Sequence, residues 1–165
     1  RKKLHCAFVD FEKAFDFVQR NSLLYKLVLN KITGKFLRVV ENLYKDVKSR
    51  VVHNNEASDM FVSDIGVRQG ENLSPLLFSL YLNDLHEFLE NSDLKGIHSI
   101  TSDIEDELDI YFKIFVLLYA DDSILLAESS TDLQLLLNSF SQYCENWKLK
   151  INVNKTKVMI IIFKR

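Results

Sequence analysis

Proline occurs once and glycine four times in 165 residues. A long flexible linker has no material to be built from, and the chain reads as one domain with a real core. The two cysteines, Cys6 and Cys144, stand far apart and show no paired metal spacing. They exclude a disulfide framework and fit free thiols in a reducing interior. His5, His53, His86 and His98 are scattered, none at ligand spacing. No apolar run is long enough to span a bilayer and no secretory leader is visible. The expected location is therefore intracellular, nucleus or cytoplasm, with no membrane partner. An excess of positive charge is also missing: the net charge is −2, which removes any general electrostatic argument for nucleic acid. There is no internal repeat. The first residue is Arg rather than Met, as expected of a piece of a longer polypeptide.

What is present is a soluble globular composition, 47% hydrophobic and 27% charged. The charge is unevenly placed. Arg1, Lys2 and Lys3 open the chain, Lys155, Lys157, Lys164 and Arg165 close it, and acidic residues crowd positions 103–109. A basic edge is compatible with a local phosphate path, although charged termini are usually just solvated.

The chain is organised around residues 115–127, Phe-Val-Leu-Leu-Tyr-Ala-Asp-Asp-Ser-Ile-Leu-Leu-Ala. Two strand-length apolar runs flank adjacent carboxylates, Asp121 and Asp122, which predicts a hairpin with the pair near its tip. Neighbouring negative charges at the end of a hydrophobic sheet repel unless a cation sits there. Hard divalent ions prefer such oxygens. A solvated turn is the plain alternative.

Residues 4–9 are a short apolar run that predicts a strand ending at Asp10, which is either a helix cap or a third carboxylate at a strand end. Asn21-Ser22 predicts the cap of a first helix, and Phe36, Val40, Leu43, Tyr44 and Val47 keep helical spacing in a second. Two strand-like pieces around Asn54-Asn55 predict a hairpin. Gly66-Val67-Arg68-Gln69-Gly70 is a loop whose glycines allow close backbone approach to a ligand. It opens onto Ser74-Pro75, a cap followed by proline at the first helical position, and that helix is predicted to run to about Leu89. Residues 95–100 predict a strand, with an exposed acidic loop after it. Thr131 and Gln134 predict a capping box, with Leu133, Leu136, Leu137, Phe140, Tyr143, Cys144 and Trp147 at helical spacing behind it. Residues 157–163 predict a last strand.

With residues 17–64 set aside, the order is strand, helix, strand, strand, helix, strand. The expected fold class is α+β, a ferredoxin-like antiparallel sheet (βαββαβ) with helices on one face, plus a helical and hairpin insertion. That topology makes the first strand a neighbour of the central hairpin and brings Asp10 to Asp121 and Asp122. Three carboxylates there can hold two divalent ions about 3.5–4 Å apart, the spacing used for in-line phosphoryl transfer.

Several motifs agree in order. Phe8-Val9-Asp10-Phe11-Glu12-Lys13-Ala14-Phe15-Asp16, the Gly66–Gly70 loop with Leu73-Ser74-Pro75-Leu76-Leu77-Phe78, Tyr119-Ala120-Asp121-Asp122, and residues 149–152 with Lys155-Thr156-Lys157 follow one another. Together they resemble the palm of reverse transcriptases, most closely those of non-LTR (LINE-like) retrotransposons. The resemblance covers nearly the whole chain. It implies RNA-directed DNA synthesis with an RNA template, a DNA primer and a dNTP, and two Mg²⁺ ions for which Mn²⁺ can substitute. Asp10, Asp121 and Asp122 are the implied metal ligands. Phe11, Phe15, Arg68, Gln69 and Gly70 are the implied nucleotide-binding set, with Phe15 as the bulky gate that excludes a 2′-hydroxyl. Lys155 is implied as the acid that protonates pyrophosphate, and Lys157 competes for that role.

Arg20 stands where these elements often carry His, with little catalytic effect expected. The chain is read as a palm with part of the fingers, without the basic upstream fingers or the thumb. The alternatives are an inactive retroelement remnant acting at most as a binding or structural module, and an RNA-templated RNA polymerase with a related palm. Phe15 and the Ala before the Asp pair weigh against the last.

Overall fold

The apolar run before Asp10 forms a seven-residue strand, and the rest of its sheet assembles from pieces that lie more than a hundred residues further on. In this computed structural model the described residues are 2–92, 94, 97–101, 110–114, 116–119 and 122–163. Within them the elements are, in chain order, β1 (Lys3–Val9), α1 (Arg20–Leu29), α2 (Gly34–Tyr44), β2 (Lys48–Ser49), β3 (Val52–His53), β4 (Glu56–Ala57), β5 (Phe61–Val62), α3 (Ser74–Tyr81), α4 (Leu85–Glu90), β6 (Ile97–Thr101), β7 (Ile110–Ile114), β8 (Val116–Tyr119), β9 (Asp122–Ala127), α5 (Ser130–Asn146) and β10 (Lys157–Ile162). They fall into two units, Arg1–Glu12 with Asp84–Arg165, and Lys13–Asn83.

The first unit holds a four-stranded sheet of order β10-β1-β9-β8, every pair antiparallel. Counted among themselves in chain order, these strands stand 4-1-3-2. The central hairpin is present: β8 and β9 pair with Tyr119 opposite Asp122. Its tip, Ala120 and Asp121, lies outside the described residues. Along β9, Ser123, Leu125 and Ala127 are buried while Asp122, Ile124 and Leu126 are less so, the period-two pattern of a sheet covered on one face. The cover is α5, which packs against β9 and β1 and buries Leu133, Leu136, Phe140, Tyr143 and Cys144. Both thiols are free and buried. Burial raises the Cys6 thiol, and burial with the nearby Glu145 charge pushes Cys144 up to about 12, so neither ionises at neutral pH.

The second unit packs α1 against α2 and α3, with Leu23, Leu27, Val40, Leu77 and Phe78 fully buried. Asn54 and Asn55 form the expected turn, both at positive φ, between β3 and β4. The hairpin continues outward as β2 paired with β5.

Several local expectations are corrected. α1 starts at Arg20 after Gln19, not behind an Asn21-Ser22 cap. Ser74 is the first residue of α3 rather than its cap, because its hydroxyl donates to the Arg68 carbonyl. The long helix to Leu89 is two helices. The buried Lys26 ammonium donates to the carbonyl of Tyr81 (2.5 Å), the last residue of α3, the carbonyl an uninterrupted helix would give to Leu85. A strand the sequence reading did not expect, β7, pairs with β6; the acidic residues expected as loop, within 102–109, lie outside the described residues.

The α5 cap is Ser129, not Thr131. Its Oγ accepts from the Asp132 amide (3.1 Å) and donates to the Asp132 carboxylate (2.5 Å), and that carboxylate suits the helix N-terminus. Ser129→Ala is expected to cost about 1 kcal/mol, seen as a lower urea midpoint at unchanged slope. Thr131→Ala is expected to stay within about 0.5 kcal/mol of the parent.

Candidate active site

The antiparallel register of β1 with β9 sets Val9 opposite Ser123. One step further along each strand brings Asp10 beside Asp122. Both line an open cavity of ≈410 Å³ with Phe8, Val9, Ser123, Ile124 and Lys155. Asp10 is anchored through its main chain: its carbonyl accepts from the Asn152 amide (2.8 Å), Phe11 bridges Ile151, and the Glu12 amide donates to the Lys150 carbonyl (2.8 Å). These links tie the turn carrying Lys155 to the end of β1. In that turn the Asn152 carbonyl accepts from the amides of Lys155 (3.1 Å) and Thr156 (2.9 Å). The Lys155 ammonium lies 3.7 Å from Asp10 Oδ2. Lys157 is spent elsewhere, its ammonium donating to the Asn154 carbonyl (3.0 Å).

Asp10 Oδ2 is buried and has no hydrogen-bond partner among the described residues. Lys155 is too distant for a hydrogen bond, and its side chain is 70% exposed. A buried carboxylate oxygen left in this way is costly unless a cation coordinates it. Asp122, exposed at the same cavity, supplies a second carboxylate. The donor set is hard oxygen, which fits a divalent ion such as Mg²⁺. Among the described residues no group of three or more His, Cys, Asp or Glu is gathered for a metal. The expected third ligand, Asp121, lies outside them.

The expected nucleotide-binding residues divide. Phe11 is 5% exposed with its ring 5.9 Å from that of Phe140, so its side chain belongs to the core. In the second unit, Phe15 stands in a turn rather than a helix, half-buried, its ring 5.3 Å from Phe78. Arg68, Gln69 and Gly70 are exposed. Gln69 Nε2 donates to Asp16 Oδ1 (2.8 Å), and Arg68 pairs with Glu71 (3.0 Å) and donates to the Leu43 carbonyl (3.2 Å). Two features had no role in the sequence reading: the Asp16 carboxylate as the partner of Gln69, and Asn152 as the pivot of the Lys155 turn. Asp16 closes the first motif and Asn152 stands three residues before Lys155, so both were visible as positions, though not as contacts.

Residues 1–161 match the family described as "Reverse transcriptase (RNA-dependent DNA polymerase)". The chain belongs to the reverse transcriptase family. Its relatives include the RNA-directed DNA polymerase from mobile element jockey of Drosophila melanogaster, 28% identical over 90% of this chain and 15% of that protein. They also include the Pol polyprotein from type-1 retrotransposable element R2 of Nasonia vitripennis, 29% identical over 98% of this chain and 14% of that one. The chain thus spans about a seventh of the length of these curated relatives. Among solved structures, apo telomerase from Candida tropicalis truncated from its C-terminal domain matches with a TM-score of 0.68 at 17% identity, over 99% of this chain and 32% of that one. C. tropicalis telomerase in complex with a TWJ fragment of telomeric RNA matches with a TM-score of 0.65 at 18% identity, over 96% and 26%. At these identities the likeness is one of fold: this reverse transcriptase chain shares a mixed helix-and-sheet architecture with telomerases.

Proposed function

We propose that this reverse transcriptase chain is the palm, with part of the fingers, of an intracellular RNA-directed DNA polymerase that extends a DNA primer on an RNA template by nucleotidyl transfer from a dNTP. One observation carries the reading: β1 and β9 bring Asp10 and Asp122 to one cavity, and the buried Asp10 Oδ2 lacks a hydrogen-bond partner among the described residues. The 4-1-3-2 sheet order supports a ferredoxin-like palm.

Asp10, Asp121 and Asp122 would hold two Mg²⁺ ions, with Mn²⁺ as a substitute. When bound, such a pair activates the primer 3′-hydroxyl and neutralises charge on the triphosphate during in-line displacement. The chain's own side chains do the rest. Lys155 Nζ, on a turn stitched to Asp10, holds a proton for the departing pyrophosphate. Lys157 is the weaker candidate, because its ammonium already serves the Asn154 carbonyl. Phe15, backed by the buried Phe78, presents a ring that fills the space a ribose 2′-hydroxyl would need. Gln69, held by Asp16, and Arg68 contact nucleotide and template, and Gly70 lets the backbone approach them.

The test is primer extension by the full-length polypeptide that contains this domain, on poly(rA)/oligo(dT) with Mg²⁺ or Mn²⁺. The reading expects template-dependent dTMP incorporation. A full-length protein that incorporates nothing with either ion is instead a non-enzymatic remnant.

A further inference from the structure

Arg20 is an unexpected residue to open a helix. It is the first residue of α1, where the helix dipole presents partial positive charge and disfavours a cation. Partial burial also works against its charge and lowers its pKa, although Tyr44 and Asp64 oppose the shift. A side chain that bears both costs is engaged elsewhere, and the contacts identify where. Nε donates to the Gly66 carbonyl (2.9 Å), Nη2 to the Ile65 carbonyl (3.1 Å), and Nη1 to the carbonyls of Ser63 and Tyr44, the latter at 3.4 Å. The guanidinium also lies 5.2 Å from the centre of the Tyr44 ring. Four carbonyls and an aromatic face are served by one planar fork of donors. Neither an ammonium nor an imidazole can reproduce that arrangement.

Three of those carbonyls, at Ser63, Ile65 and Gly66, lead directly into Val67-Arg68-Gln69-Gly70. The loop is held from its other side as well. Its Gly66 amide donates to the Val18 carbonyl (2.8 Å) and its Val67 amide to the Phe15 carbonyl (2.8 Å). Gly66 adopts φ +85°, and a Cβ there would come within 3.0 Å of the Asp16 carbonyl oxygen, so the two segments touch backbone to backbone. Gln69 then reaches Asp16 (2.8 Å). With the Phe15 to Val18 segment on one side and Arg20 on the other, the approach to Gln69 has little freedom.

We propose that Arg20 is a positioning residue for nucleotide binding: its guanidinium clamps the main chain at Ser63, Ile65 and Gly66 and thereby sets the aim of Gln69. This rests on the reading of Gln69 as a nucleotide contact, and it replaces the expectation that the residue at position 20 matters little.

The experiment compares the full-length polypeptide with its Arg20→Lys and Arg20→Ala variants in two ways. Amide hydrogen exchange reads the loop without requiring activity. Arg20→Lys is expected to speed exchange at residues 67–70 several-fold while α5 amides keep their rates. Steady-state dTTP incorporation reads the consequence. KM for dTTP is expected to rise about tenfold, with kcat within about twofold. In a Gln69→Ala background, Arg20→Lys is expected to add less than a further twofold, because the residue it aims is gone. Unchanged exchange at 67–70, equal acceleration throughout the chain, a loss carried by kcat alone, or a full additional KM increase in the Gln69→Ala background would each overturn the proposal. If Arg20→Ala does not fold, Arg20→Lys decides. If the wild-type protein incorporates nothing, the polymerase reading falls by itself, and the exchange comparison still judges the clamp.

Discussion

Asp10→Asn in the full-length polypeptide is expected to abolish primer extension, by a factor on the order of 10³ or more, while leaving stability unchanged or slightly improved. The magnitude follows from what a metal-binding carboxylate supplies, several kcal/mol of charge stabilisation at about 1.4 kcal/mol per decade of rate. The stability half of the expectation comes from the geometry. Asp10 Oδ2 makes no hydrogen bond among the described residues and meets only the distant Lys155 ammonium, so the neutral amide forfeits little folding energy. The main-chain carbonyl of Asp10, which accepts from Asn152, is untouched by the substitution. Single-turnover dTMP incorporation and a thermal melt on the same preparation check both halves. Lost activity with an unchanged melt supports a catalytic carboxylate. A large drop in melting temperature makes Asp10 a structural residue, and retained activity removes it from the site.

The second large effect concerns the sugar. Phe15→Val is expected to lower the preference for dTTP over UTP by about 10- to 100-fold, chiefly by admitting UTP. That range corresponds to about 1–3 kcal/mol, the usual worth of a steric contact in a pocket. Phe15 is half-buried, with its ring 5.3 Å from Phe78, which is itself fully buried and cannot retreat. The ring edge is therefore backed by a rigid wall, and shortening the side chain opens space on the exposed side. The substitution also removes packing, so some stability is lost. The ratio of kcat/KM for the two nucleotides separates the roles, because lost packing slows both substrates alike. An unchanged ratio with a lower melting temperature would reduce Phe15 to a core residue.

Much of the site was legible because it lies on elements whose patterns are local. Residues 4–9 and 157–163 are apolar, β-rich runs that became β1 and β10, and the two runs flanking Asp121-Asp122 became β8 and β9. β1 pairs with β9 of that hairpin. The helix ends were less legible. Ser129, Ser130 and Thr131 are three consecutive candidates for one cap, and the extended backbone of Ser129 with its bond from the Asp132 amide decides among them. The break after Tyr81 depends on Lys26, 55 residues earlier, which no pattern around Leu82 reveals. Phe11 sits beside Asp10 in the first of the ordered motifs yet turns its ring to Phe140, because β1 continues past Asp10 as an extended bridge to Ile151.

The sequence alone determined the family and the strands whose ends carry Asp10 and Asp122, since these depend on residue type, order and short-range periodicity. Only the tertiary structure decided which lysine approaches Asp10, where α3 stops, and that Arg20 grips three carbonyls ahead of Gln69. Those outcomes rest on hydrogen bonds and an ion pair between groups tens of residues or more apart. Such contacts form only once the chain has folded back on itself, and they leave no periodic trace in the order of the amino acids.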